Sequence, residues 1–188
     1  MVPVAMLAGL EGGLRLYGVG QNTEPFLVRT WRGARFALLN EVFFDQFLRG
    51  VEPMAFSEPP ESTFPVDKAA DTCRVFVFGG SCAYGWFFPE YDFEEVLVSQ
   101  LRARFPETRF EVHNLAYFAM NSNAMRILAD EVAAFEPDIF LIYLGNNEMV
   151  GPFGLASVLG RWECGTETMA RAVRANVWLS NLRLGQLG

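Results

Sequence analysis

The sequence predicts an α/β fold built on a small parallel sheet, and three observations carry that expectation. From about residue 72, short apolar runs alternate with amphipathic stretches of helical spacing. The connections between them are short, and the runs lead into loops rich in glycine or asparagine. Strand, helix, strand, helix, strand is a βαβαβ pattern, which implies parallel strands joined by right-handed crossovers.

The first element of this series is "CRVFVF", a run buried on both faces that ends in Gly79 and Gly80. Next, "DFEEVLVSQLRARF" (92–105) carries apolar residues at helical spacing, with Pro106 beyond its end. "RFEVHNL" (109–115) reads as the second strand. "NSNAMRILADEVAAF" (121–135) reads as an amphipathic helix opened by Asn121 or Ser122 as N-cap. "PDIFLIYLG" (137–145) is the third strand, apolar throughout, and a last helix is expected in "ETMARAVRANVWLSNLRL". In a strand order 2-1-3 the ends of strands one and three are neighbours, and ligands of such sheets bind beyond the carboxyl ends of the strands.

Two segments precede this domain, which is taken as residues 72–188. Residues 1–20 open with ten apolar residues, "MVPVAMLAGL", before Glu11 and Arg15. That is too short to span a bilayer, which takes about 20 residues, and it lacks the basic start of a secretory signal. Two readings stay open: a packed helix or loose terminus, or the remnant of a membrane anchor or interfacial segment. Residues 21–71 are rich in proline, and "SEPPESTFP" is not expected to hold regular structure. The proline-free "RFALLNEVFFDQFL" (35–48) is compatible with a helix. This part is expected to be an arm or cap without chemistry of its own.

Composition limits the function. A chain of 188 residues with 51% hydrophobic and 20% charged residues is an ordinary globular domain. Its net charge of −7, with arginines scattered rather than gathered, argues against a nucleic-acid partner. Three cysteines without a CxxC pair, beside one histidine, give neither a zinc site nor a disulfide framework. No metal or cofactor is expected.

The loop "GGSCAYG" after the first strand holds the most chemistry. A P-loop needs GxxxxGK[ST], but Lys68 is the only lysine and precedes the strand. A dinucleotide fingerprint needs GxGxxG, which is absent. "GGSCA" misses only the last glycine of the GxSxG elbow, yet that elbow usually follows several strands, and this is the first. A plain tight turn also fits the loop taken alone. The loop after strand three, "YLGNNEMVGPFG", adds an asparagine whose carboxamide is able to donate to a developing oxyanion. Such a donor is typically worth about 3 kcal/mol of barrier. Serine, asparagine and a backbone amide from the strand-two loop would form a constellation suited to acyl transfer.

At these residues the chain resembles the SGNH (GDSL-like) hydrolase superfamily. "VFVFGGSCAYG" is similar to its first block, with Ser81 as nucleophile. "EVHNLAYFAMNS" is similar to the second, where Ala119 stands in place of the usual glycine and still offers a backbone N–H. "PDIFLIYLGNNE" resembles the Gly-x-Asn-Asp block, with Asn147 as oxyanion donor and Glu148 replacing Asp. The resemblance implies a three-layer, flavodoxin-like α/β/α sandwich, here truncated to about three core strands. It also implies a serine ester hydrolase or acyltransferase acting on small acyl esters, such as O-acetyl groups on carbohydrate. More narrowly, the chain resembles SGNH-like domains of large bacterial proteins that are often membrane-anchored, with "LEGGLRLYG" (10–18) similar to the end of their anchors. An extracytoplasmic or membrane-associated location, with membrane contact through residues 1–20, follows from that likeness.

The superfamily's Asp-x-x-His block, which supplies the general base, is absent from this chain. The lone His113 lies in a strand, where a packed structural residue is the ordinary reading. The chain is therefore expected to be the front part of a longer enzyme or a catalytically inactive structural subunit or binding module. The third strand, apolar on both faces, has the pattern of a central strand without a following neighbour. A partner protein, a second copy or the N-terminal arm is expected to cover it.

Overall fold

The structure is a computed structural model that describes residues 2–48, 62–85, 93–153 and 166–187. It is a mixed α/β fold with two three-stranded sheets. The first is antiparallel, in order β1-β2-β3, with β1 Phe26–Trp31, β2 Ala34–Leu39 and β3 Thr63–Pro65. The second is parallel, in order β5-β4-β6, with β4 Thr72–Gly79, β5 Arg109–Asn114 and β6 Ile139–Tyr143. The helices are α1 Val2–Leu16, α2 Val42–Asp45, α3 Ser81–Tyr84, α4 Phe93–Arg104, α5 Ser122–Val132 and α6 Thr166–Asn181.

The βαβαβ series and its 2-1-3 strand order are present as expected. β4 is the middle strand, pairing Val75 with Val112 of β5 and with Ile139 of β6. Residues on its two faces enter two separate cores. Phe76 and Phe78 pack with Leu128 and Val132 of α5, whereas Val75 and Val77 face Leu97, Val98 and Leu101 of α4. Asn121 is the N-cap of α5, its side chain accepting from the Asn123 N–H at 3.2 Å.

Two expectations are corrected. Residues 35–48 are not one helix: β2 occupies 34–39 and α2 is a single turn. The β1–β2 connection is the two-residue loop Arg32-Gly33, both with positive φ (51° and 83°), as tight hairpin turns require. An Arg-Gly pair is a weaker hairpin signal than Asn-Gly, and the alternation around it is short. "TFP", at the end of the proline-rich run, forms β3, with Phe64 opposite Ala37. Residues 57–61 of that run lie outside the described residues. Phe64 then carries the antiparallel sheet onto the parallel one, meeting Phe76 edge-to-face at 5.1 Å and Phe135 at 5.1 Å.

β6, apolar on both faces, lies at the edge of the parallel sheet. β4 pairs with one side of it, and among the described residues no strand, of the N-terminal arm or elsewhere, pairs with the other. At the other end of the chain, α1 stands out from the body with Val4, Met6, Leu7 and Leu10 exposed. It is held at its base, where the Glu11 carboxylate accepts the N–H groups of Arg183 and Leu184 at 3.0 Å each. Among the described residues no helix is long and apolar enough to cross a membrane.

Candidate functional site

The carboxyl ends of β4 and β6 open onto a cleft lined by Gly80, Ser81, Cys82, Met120 and the run Tyr143–Asn147. The cleft is shallow and open to solvent, with an enclosed volume of only about 10 Å³, about the room that one water needs.

Ser81 reaches the cleft because the chain turns sharply at the end of β4. Gly80 is extended (φ −92°, ψ −160°), and its carbonyl accepts the N–H groups of Ala83 and Tyr84 to close the α3 turn. Gly85 ends that turn in the left-handed region at φ 84°. The glycines are sterically required here. A Cβ on Gly79 would lie 2.3 Å from Ala83 Cβ and 2.9 Å from the Tyr143 carbonyl oxygen. A Cβ on Gly80 would lie 2.6 Å from Asn147 Nδ2. The backbone of the serine turn and the Asn147 carboxamide are therefore in van der Waals contact.

Asn147 is fixed from three sides. Its Nδ2 donates to the Met120 carbonyl at 3.0 Å, its own carbonyl accepts the Gly151 N–H at 2.7 Å, and the next residue anchors the loop. That neighbour, Glu148, accepts the Ser122 N–H at 2.9 Å and the Ser122 hydroxyl at 2.6 Å. A carboxylate at the first turn of α5 also opposes the positive end of the helix dipole. Ser122 and Glu148 thus bind the loop after β6 to the start of α5.

The loop after β5 is held beside the end of β4 by the Leu115 N–H on Val77 O (2.8 Å) and the Tyr117 N–H on Gly79 O (3.1 Å). Ala119 lies in this loop in the left-handed region, at φ 55°. That conformation favours glycine and costs an alanine roughly 1–2 kcal/mol. Ala119 does not itself line the cleft; the adjacent Met120 does.

Of the three residues expected from sequence, Ser81 and Asn147 meet at the cleft, and Ala119 sits one residue behind its wall. Cys82, Asn146 and Tyr143 are added by the structure, with Asn146 Nδ2 donating to Cys82 Sγ at 3.0 Å. Buried Asn114 is a further addition. It donates to Ala83 O at 2.8 Å and accepts the Ala116 N–H at 3.1 Å, linking the serine turn to the loop after β5. Its place as the last residue of β5, directly before the loop beside the cleft, is the available sequence signal.

No imidazole or carboxylate belongs to the described lining of the cleft. His113, the only histidine in the chain, lies on β5 opposite Phe76, between the rings of Phe64 (4.8 Å) and Phe76 (5.4 Å). Its Nε2 is buried without a hydrogen-bond partner. Burial first, then the Arg74 guanidinium, pushes its pKa down to about 4. It is a neutral core residue. Among the described residues no cluster of histidine, cysteine and carboxylate groups is placed to hold a metal. Comparison with protein-family models, with curated proteins and with solved structures finds no match to this chain.

Proposed function

We propose that this chain carries the nucleophile half of a serine ester hydrolase or acyltransferase of SGNH type. The supporting observation is the contact between the serine turn and the Asn147 carboxamide at the carboxyl ends of β4 and β6. In this reading Ser81 Oγ attacks the carbonyl carbon of a small acyl ester, and its proton passes to a base. The tetrahedral oxyanion is met by Asn147 Nδ2 and the backbone N–H of Ser81, with Ala119, one residue behind the cleft wall, as the third donor that the resemblance implies. Collapse of the intermediate expels the alcohol and leaves an acyl-serine for water or a second alcohol to take. The small cleft favours acetyl-sized groups, such as O-acetyl esters of carbohydrate. The base belongs to residues outside the described lining, since His113 is committed to the core. The exposed apolar residues of α1 support contact with a membrane surface; a bacterial, extracytoplasmic location rests on the resemblance alone.

A second reading has one observation in its favour. With no imidazole or carboxylate in the described lining, the same cleft serves a binding module or structural subunit of a larger assembly. Hydrolysis of p-nitrophenyl acetate, with Ser81→Ala as control, separates the two. Turnover lost in the variant supports the enzyme, and equal rates for both proteins support the binding module.

A further inference from the structure

We propose that Asn114 is a positioning residue, whose carboxamide sets the turn that presents Ser81 against the loop that carries Ala119 and Met120. The inference rests on the reading of Ser81 as a nucleophile and names the group that holds it in place. Asn114 is the last residue of β5, lies opposite Val77 of β4 and is 1% exposed. Three of its polar groups go to three different segments. Its backbone N–H donates to Glu94 Oε2, in the first turn of α4, at 3.1 Å. Nδ2 donates to the Ala83 carbonyl of α3 at 2.8 Å, and Oδ1 accepts the Ala116 N–H at 3.1 Å.

The bond to Ala83 acts on Ser81 because α3 has only four residues. A single turn has little stability of its own, so the contacts at its two ends decide where Ser81 stands. At the start, Gly80 lies against the Asn147 carboxamide. Towards the end, Ala83 is fixed twice: its Cβ sits over Gly79 at the end of β4, and its carbonyl sits on Asn114. Ala83 is fully buried, so without Asn114 that carbonyl loses its donor where no water replaces it.

The acceptor side of the carboxamide holds the loop after β5. The Ala116 N–H on Oδ1 stands between the Leu115 N–H on Val77 O and the Tyr117 N–H on Gly79 O. Ala119 follows three residues later, and Met120 lines the cleft. One planar group, donating on one side and accepting on the other, thus sets the spacing between the nucleophile turn and the facing loop. A carboxamide supplies both functions, whereas an ionised aspartate supplies acceptors alone.

Two variants test this against the wild-type chain in mildly alkaline buffer. Asn114→Ala removes both side-chain bonds, and Asn114→Asp keeps an acceptor for Ala116 but loses the donor for Ala83. Val132→Ala, in the core beneath α5, controls for a general loss of stability. Fluorophosphonate labelling of Ser81 in the presence of imidazole is expected to slow about 10- to 100-fold in both Asn114 variants. Faster amide exchange is expected at 82–85 and 115–119 and not in α5. Val132→Ala is expected to label at the wild-type rate despite a lower urea midpoint. Wild-type labelling rates in a folded Asn114 variant overturn the proposal, and so does an equal slowing in Val132→Ala. A wild-type chain that does not label refutes the nucleophile reading instead. Exchange then decides for Asn114: a local rise at 82–85 upholds its hold on the turn, and no change overturns it. If Asn114→Asp does not fold, Asn114→Ala decides.

Discussion

Asn147 and Met120 are joined by a 3.0 Å hydrogen bond from carboxamide nitrogen to backbone carbonyl, which ties the loop after β6 to the loop after β5. The same nitrogen lies above Gly80, where a Cβ would approach it to 2.6 Å. One side chain thus touches all three segments that form the cleft.

Gly80→Ala is accordingly expected to displace Asn147 without altering the sheet. Overpacking of this kind costs about 1–3 kcal/mol of stability. Displacing an oxyanion donor by about 1 Å costs up to about 100-fold in rate. Urea unfolding and ester turnover on the same variant check both. A fall in stability with unchanged turnover would remove Asn147 from the chemistry.

Glu148→Ala frees the Ser122 N–H and hydroxyl and removes a favourable charge from the start of α5. A stability loss of about 1 kcal/mol is expected, with a larger proportional loss of turnover because Asn147 is the adjacent residue. Glu148→Gln, which keeps one acceptor, is expected to fall between the two proteins in thermal unfolding and in rate.

His113 makes stability depend on pH. Its folded pKa of about 4 lies below the ordinary 6.5, so the unfolded chain takes up the proton first as pH falls. Stability is therefore unaffected above about pH 6.5, declines between 6.5 and 4, and is fully reduced below about 4, by about 3 kcal/mol. His113→Phe, which suits the space between Phe64 and Phe76, removes this slope. Urea midpoints at pH 7 and pH 4.5 measure it; parallel declines in both proteins would refute the assignment.

Arg74 is buried on β4 and donates to Glu111 from Nε (3.1 Å) and Nη2 (2.9 Å), and to the Phe135 carbonyl at 2.8 Å. Arg74→Ala leaves the mostly buried Glu111 carboxylate with only the exposed Arg109 at 3.9 Å and is expected to cost about 3 kcal/mol. Replacing both partners, Arg74→Met with Glu111→Leu, restores much of that loss, as chemical denaturation will show.

The parallel sheet was legible because β4 and β6 are largely apolar runs and β5 alternates apolar with polar residues, each with turn residues behind it, a signal set by burial rather than by partners. Ser81 and Asn147 were legible for a related reason, since loops at strand ends carry the residues that a sheet presents. The β1–β2 hairpin was not, because Arg32-Gly33 hides a tight turn and the strands beside it are only six residues each. Arg74 was hidden inside an apolar run, and its ion pair depends on Glu111, which only the register of β4 and β5 brings alongside. Apolarity on both faces placed β6 in the middle of a sheet. The lack of a further apolar run behind it already pointed to the open edge that β6 has among the described residues.

Fluorophosphonate labelling of Ser81, with and without added imidazole, tests most directly whether this serine is a nucleophile beside a working oxyanion hole. The expected result is slow labelling of the wild-type chain, accelerated by imidazole acting as the base, abolished in Ser81→Ala and reduced about 100- to 1,000-fold in Asn147→Ala. Labelling that imidazole does not accelerate and that persists in Ser81→Ala would contradict it.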